Sequence, residues 1–277
     1  MNQKLVKDRI IIIDFGSQVT KLIARRIREL SVFSEILTPK DLVKKNIFKN
    51  VKGIILSGGP STVIGEKNFS NINREFFNLG IPILGICYGL QLIAKHFKGK
   101  VKSNIGKREF GRAVLFKSKD SLLTKDFFYK QKCNVWMSHQ DSVYKLPKGF
   151  MQIASTNKSK MTIIENKTKN IYGIQFHPEV THTKNGNIIF KNFIFSICGA
   201  KKNWKTDSQK IRIINEIKDT VKKDKVICAL SGGVDSSVVA LLIHKAIGKK
   251  LICIMVDTGL MRKYEFKSTY KIFKKKI

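Results

Sequence analysis

Cys87 lies between two glycines in Gly85-Ile86-Cys87-Tyr88-Gly89, directly after the apolar run Ile81 to Leu84. Leu90, Ile93, Ala94 and Phe97 then recur at helical spacing. Strand, sharp turn and helix form the context in which a Gly-x-nucleophile-x-Gly elbow works. The glycines permit a backbone too tight for a Cβ. The free N–H groups and positive dipole end of the following helix favour a thiolate over a thiol. By itself the signal is weak, because a buried free cysteine also behaves as a small apolar residue. A second stretch adds weight: Tyr172-Gly173-Ile174-Gln175-Phe176-His177-Pro178-Glu179 reads as a strand ending in an imidazole and a carboxylate. In extended chain, residues two apart point to the same side, and Pro178 keeps His177 out of the helical region. Cys87, His177 and Glu179 thus supply the nucleophile, base and orienting group of thiol-based acyl transfer.

The elements that must position these groups alternate. Ile10 to Ile13 is a continuous apolar run, as expected of a strand buried on both faces. Asp14 to Gln18 form a turn, Val19 to Leu30 a helix, and Phe33 to Leu37 and Gly53 to Ser57 further strands. This order predicts an α/β fold: an open, mostly parallel sheet with helices on both sides. Ligands in such sheets sit beyond the carboxyl ends of the strands, where every motif named so far falls. Ser57-Gly58-Gly59-Pro60 follows its strand directly. It reads either as a plain turn or as backbone brought close to an oxyanion. Gly99 to Lys132 has alternating character and turn glycines, which predicts an antiparallel flap. Met151 to Ser155 and Met161 to Glu165 are strand-like, and Ile188 to Cys198 is an apolar helix that closes the first domain.

Gly199 to Asn203 is small, polar and basic, and marks a boundary between domains at residues 9–202 and 203–277. Beyond it, Ile211, Ile214, Ile217 and Val221 have helical spacing. Val226 to Leu230 is a strand, followed by Ser231-Gly232-Gly233-Val234-Asp235-Ser236-Ser237 and a helix over Val238 to Ile247. Strand, Gly-rich turn and helix form a phosphate-binding arrangement, here without the lysine of a Walker A loop. Leu251 to Val256 is a second strand, ending at Asp257, and Tyr264 to Lys275 a last helix. Two strands leave a partial sheet with an open edge and an uncovered apolar face.

Composition narrows the class. The 277 residues are 43% hydrophobic, which suits a globular protein, and no apolar run reaches the length of a membrane span. The first residues lack a cleavable signal pattern. The five cysteines are odd in number, far apart and make no CxxC. That argues against a disulfide framework or a zinc site and points to the cytoplasm. The net charge of +33 raises nucleic-acid binding as a reading. The lysines are spread along the chain, however, and Ile, Asn and Phe are abundant too. A/T-rich codons explain all four, so no nucleic-acid partner is expected.

GICYG, SGGP and QFHPE together resemble the class I, triad-type glutamine amidotransferases. IIIDFGSQ, VWMSH, HPEVTHT and SGGVDSS are similar to the glutamine-hydrolysing GMP synthase family within that class. The resemblance covers nearly the whole chain, from about Arg9 onward, with motifs in the family's order. It implies a flavodoxin-like amidotransferase domain followed by the start of an ATP pyrophosphatase domain. It assigns catalysis to Cys87, His177 and Glu179, oxyanion contacts to Gly59 and Tyr88, and glutamine contacts to Gln91, Ser138 and Asp141. Ser231, Gly232, Gly233, Val234, Asp235, Ser236 and Ser237 would form the pyrophosphate loop, with Asp235 at the Mg²⁺ and Asp257 near the adenine.

ATP with Mg²⁺ is thus the implied co-substrate, with no prosthetic group, and glutamine and xanthosine monophosphate (XMP) are the other substrates. Family members carry Ser-His-Gly-Asp where this chain has Gln140. Glutamine adopts positive φ only at a cost, so a loop of different shape is expected. His139 is expected to be a loop residue, and Thr181-His182-Thr183 a contact loop towards the synthetase half. Family members continue well beyond residue 277. The chain is therefore expected to be a fragment, one piece of a split enzyme completed by a separate chain, or the product of a decaying gene. Competing readings are a stand-alone glutaminase or ammonia-supplying chain, and an inactive remnant.

Overall fold

The computed structural model describes residues 8–43, 47–65, 72, 74–103, 108–257 and 259–276. It divides into two compact units, Met1–Trp204 and Lys205–Ile277. The first unit opens with β1 (Arg9–Ile13), α1 (Thr20–Glu29), β2 (Phe33–Leu37), β3 (Val51–Leu56), β4 (Ile83–Ile86) and α2 (Tyr88–His96). Then come β5 (Lys100–Ser103), β6 (Glu109–Lys117), β7 (Lys132–His139), β8 (Asp141–Lys145), β9 (Met151–Ser155), β10 (Ile163–Asn166), β11 (Ile171–Ile174) and α3 (Gly186–Lys191). Nine of the strands form one sheet, in the order β2-β1-β3-β4-β11-β10-β9-β6-β7. The pairings from β2 across to β11 are parallel and the rest antiparallel. Only β10 and β6 therefore run against the common direction.

The apolar run of β1 serves two cores, because successive side chains leave opposite faces of the sheet. Ile10 and Ile12 join Ile23, Ala24 and Ile27 of α1 and Ile189 and Phe190 of α3. Ile11 and Ile13 join Leu90, Leu92, Ile93 and Ala94 of α2. Each fully buried isoleucine contributes about 1.5–3 kcal/mol of transfer free energy. Helices thus cover both faces, as the alternation of elements demands.

Two local outcomes differ from the sequence reading. β5 does not pair with β6 as a flap. It pairs antiparallel with β8, and β6 pairs with β7 inside the main sheet. Residues 104–107 of the expected flap lie outside the described residues. The helix expected over Ile188 to Cys198 is α3 followed by a π-helical stretch, Asn192–Ile197. The wider turn starts at Asn192, whose side chain donates to Leu123 O and Lys125 O.

The second unit contains α4 (Thr206–Val221), β12 (Val226–Ala229), α5 (Val234–Ile247), β13 (Leu251–Ile254) and α6 (Glu265–Lys276). β12 and β13 are parallel. One face packs Cys228 and Leu251 against Ala240 of α5, with Phe273 of α6 beside them. The other face leaves Ile227 67% and Ile254 46% exposed.

The turn from β4 to α2 is closely packed. A Cβ on Gly85 would lie 2.5 Å from the Gly89 backbone, and one on Gly89 would lie 2.4 Å from Leu56 O. The neighbours are backbone and cannot swing away. Gly89→Ala is therefore expected to destabilise the first unit by about 2 kcal/mol or more, read as a lowered urea midpoint. An unchanged midpoint would show that α2 is free to shift on the sheet.

Candidate active site

Cys87 is the single residue between β4 and α2, and its backbone has φ 52° and ψ −103°. Positive φ is rare for a residue with a Cβ. Hydrogen bonds hold it there. Cys87 N donates to Ile174 O at 2.8 Å, extending the β4–β11 ladder by one residue, and Gly89 N donates to Ser57 O at 3.2 Å. The sulfur consequently stands at the carboxyl edge of the sheet.

His177 follows β11. Its Nδ1 lies 2.7 Å from Glu179 Oε1. A carboxylate oxygen accepts, so Nδ1 carries the proton and Nε2 is left for Cys87. Glu179 is fully buried. Burial works against charge on the His177 ring. Hydrogen bonds to Cys87 and to Glu179, and the negative charge of both, outweigh it and push its pKa up from 6.5 to about 10. The arrangement therefore stores a proton on the imidazole beside the sulfur. Gly58 allows this approach: a Cβ there would lie 3.3 Å from His177 Cε1 and 3.8 Å from Cys87 Cβ.

Thr183 fixes the imidazole's backbone. It is buried, its hydroxyl donates to His177 O at 2.5 Å, and it accepts from Trp136 N at 3.0 Å. His177 N in turn donates to Trp136 O at 3.1 Å. The Thr-His-Thr stretch is therefore partly an internal brace, with the His182 ring tilted against Trp136 at 4.4 Å. Its threonine is a positioning residue that the sequence reading placed on a contact loop.

Two hollows meet at Cys87. One, of about 610 Å³, is lined by Gly59, Tyr88, Gln91, Ser138, Asp141 and their neighbours. The other, of about 400 Å³, is lined by Gly16 to Val19, Gly59, Trp136, Ser138, His177 and Val180. Gly59 borders both and packs on Phe15, where a Cβ would lie 2.7 Å from the Phe15 carbonyl oxygen. Gln91 is buried, with Nε2 donating to Asp141 O at 2.9 Å, and the Asp141 carboxylate accepts from Thr62 Oγ1 at 2.6 Å. These residues are thus tied to one another along the wall of the larger hollow.

Gln140 does not take positive φ. It is the single residue between β7 and β8, so the expected strain is absent. His139 is the buried end of β7 rather than a loop residue. Its Nδ1 faces Asp141 O at 3.0 Å and its Nε2 faces Glu109 Oε2 at 3.2 Å. Thr156 Oγ1 donates to Glu109 Oε1 at 2.8 Å. Glu109 was missed from sequence, and the only signal was its opposition to His139 across β6 and β7.

The remaining sulfurs are quieter. Burial pushes the Cys133 thiol up to about 11 and raises Cys198 further, and burial with the neighbouring Cys228 raises Cys253.

In the second unit, Ser231 to Ser237 joins β12 to α5. Gly232 takes φ 79°. Ser231 Oγ and Ser236 Oγ lie 3.0 Å apart, Gly233 N donates to Ser231 Oγ, and Ser237 Oγ donates to Gly233 O at 2.7 Å. Helix α5 starts at Val234, earlier than the sequence spacing placed it. Asp235 therefore sits in its first turn, beside exposed Val234. The Asp257 carboxylate accepts from Gly259 N at 3.0 Å.

Comparison with known proteins sets this geometry in a family. Residues 11–197 match the model of glutamine amidotransferase class-I, and residues 208–275 match that of NAD synthase. A glutamine-hydrolyzing GMP synthase of Clostridium botulinum (strain Langeland) is 48% identical over 97% of this chain and 52% of its own length. That of Bacillus cytotoxicus is 49% identical over 96% and 51%. The chain spans about half the length of the curated relatives it matches. Among solved structures, a Thermoplasma acidophilum protein assigned as one component of a GMP synthase is similar with TM-score 0.63 and 30% identity, over 74% of this chain and 98% of that one. A glutamine amidotransferase from Thermotoga maritima shares the fold, with TM-score 0.54 and 20% identity over 88% and 91%. An elbow cysteine, a histidine just beyond β11 with its carboxylate, and a family match over residues 11–197 converge: the chain belongs to the class-I glutamine amidotransferases.

Proposed function

We propose that the first unit hydrolyses the side-chain amide of glutamine, and that the ammonia serves an ATP-dependent amination of XMP to GMP. The observation that carries this reading is the His177–Glu179 contact of 2.7 Å beside the Cys87 elbow. The Cys87 thiolate attacks the amide carbon, a C–S bond forms, and the carbonyl electron pair moves to oxygen. The N–H groups of Gly59 and Tyr88 receive that charge. On collapse the C–N bond breaks, and His177 Nε2 passes its proton to the nitrogen, which leaves as ammonia. Water then gives a proton to His177 and attacks the thioester, and glutamate departs as the C–S bond breaks. Gln91, Ser138 and Asp141 hold the amino-acid end of the substrate in the larger hollow.

In the second unit the Ser231–Ser237 turn, with Gly232 and Gly233, cradles the pyrophosphate of ATP through backbone N–H groups and serine hydroxyls. Among the described residues, no cluster of three or more His, Cys, Asp or Glu side chains could hold a metal ion. Magnesium would arrive on phosphate oxygens and needs only one or two carboxylates; Asp235 would supply one. Asp257 borders the adenine end. A separate chain would complete the XMP site. No described helix is long and apolar enough to cross a membrane, and the cytoplasm is the proposed compartment.

A second reading, a glutaminase that only supplies ammonia, is favoured by one observation. The Thermoplasma protein, assigned as one component of a GMP synthase, matches this chain over 98% of its own length, which supports a separate ammonia-supplying component.

Three measurements bear on these readings. Glutamate release by the chain should fall on the order of a thousandfold or more in Cys87→Ala; release that persists removes the thiol mechanism. The linked stability should follow the His177 shift. With the pKa raised from 6.5 to about 10, the stabilisation is complete below pH 6.5 and is lost as pH rises towards 10. The urea midpoint of the wild type should fall across that window, and His177→Gln should flatten the fall. Finally, MgATP at about a hundredfold over its Kd should stabilise the second unit by about 2.7 kcal/mol, with less effect on Asp235→Ala. Absence of any shift favours the ammonia-supplying reading.

A further inference from the structure

We propose that Gln175 is a further catalytic residue, whose side-chain N–H donates to the Cys87 sulfur and stabilises its thiolate. Gln175 is 0% exposed. Its Nε2 lies 3.6 Å from Cys87 Sγ, within reach for a sulfur acceptor. Its Oε1 has no hydrogen-bond partner among the described residues. A buried primary amide that leaves its oxygen unpaired is costly, and leucine or methionine would fill the same space without that cost. The residue type makes sense if its donor end is what matters.

The surroundings of the sulfur point the same way. The Cys87 thiol faces Ser138 O at 3.7 Å, where only S–H can donate. Once the proton has passed to His177, that carbonyl faces a negative charge with nothing to bind. The Gln175 N–H is then the neutral contact that strengthens, because hydrogen bonds to ionised acceptors are the strong ones. Reversing the amide would set Oε1 against the thiolate, so Nε2 must face it. An uncharged donor also suits the site: a lysine there would compete for the proton that His177 carries.

Placement is fixed by backbone rather than by side-chain flexibility. Gln175 N donates to Thr162 O at 2.8 Å, and the preceding residue, Ile174, accepts from Cys87 N at 2.8 Å. Gln175 and His177 both follow β11, and both side chains hydrogen-bond to Cys87, so one segment aims a donor and a base at the same atom.

The test is the pH profile of Cys87 alkylation by iodoacetamide in the full chain, with Cys87→Ala giving the background from the other cysteines. Gln175→Leu and the straighter Gln175→Met should move the thiolate titration up by about one unit, a rate about tenfold lower below the midpoint. Gln175→Glu should move it further, because a carboxylate repels the thiolate. The kcat for glutamate release should fall about tenfold in the Leu and Met variants, with KM unchanged, as one lost charge-assisted hydrogen bond predicts. An unshifted profile in whichever of the two apolar variants folds overturns the proposal, while wild-type glutaminase activity would still stand. The effect on turnover rests on the proposed amide hydrolysis, but the alkylation profile does not. A wild type that releases no glutamate would therefore sink that function and leave Gln175 to be decided by alkylation.

Discussion

The structure depends on one backbone conformation. Cys87 sits at φ 52°, a region that costs a residue with a Cβ about 1–3 kcal/mol. The surroundings enforce it: the ladder bond to Ile174, the bond from Gly89 to Ser57, and the contacts of Gly85 and Gly89. A relaxed cysteine would lie along the strand or in the helix, and its sulfur would turn away from the hollows. The strained one stands at the sheet edge, where both hollows border it. The two apolar cores, built on alternate faces of β1 and its neighbours, hold the strand ends rigid enough to keep this turn in place.

Around that turn the chemistry is assembled from strand ends. His177 and Glu179 come from the segment after β11, braced by Thr183 and Trp136. The wall of the larger hollow comes from α2 and the β7–β8 junction, where Gln91 and His139 both hydrogen-bond to the Asp141 carbonyl oxygen. Behind His139, Glu109 and Thr156 close a buried polar chain. Buried polar groups of this sort specify one arrangement because each leaves its neighbour unsatisfied if it moves.

Much of this was legible in the sequence, for identifiable reasons. Apolar runs such as Ile10 to Ile13 and the break at Cys87 are local signals. His177 and Glu179 were expected at the end of a strand, but β11 stops at Ile174 and Glu179 reaches the imidazole from a turn. What was not legible depends on pairing at a distance. Nothing in Lys100 to Ser103 indicates that its partner is β8. Glu109 meets His139 only because β6 and β7 align in one register. Thr183 turns inward to a carbonyl whose position is set by β7. Gln140 was expected to strain its loop, but between two strands it keeps an ordinary φ. The early start of α5 at Val234 was also hidden, since a glycine-rich turn does not announce its helix.

The elevated thiols of Cys133, Cys198 and Cys253 have a consequence for the chain's chemistry as a whole. Held protonated through the neutral range, these sulfurs offer little to peroxides or electrophilic metabolites. One amino acid is thus used in two opposite ways, as inert filler at most of its positions and, in the proposed chemistry, as the nucleophile at one. Nothing in the side chain itself separates the two uses. The surrounding backbone does, so oxidative injury to this protein should strike function before it strikes folding.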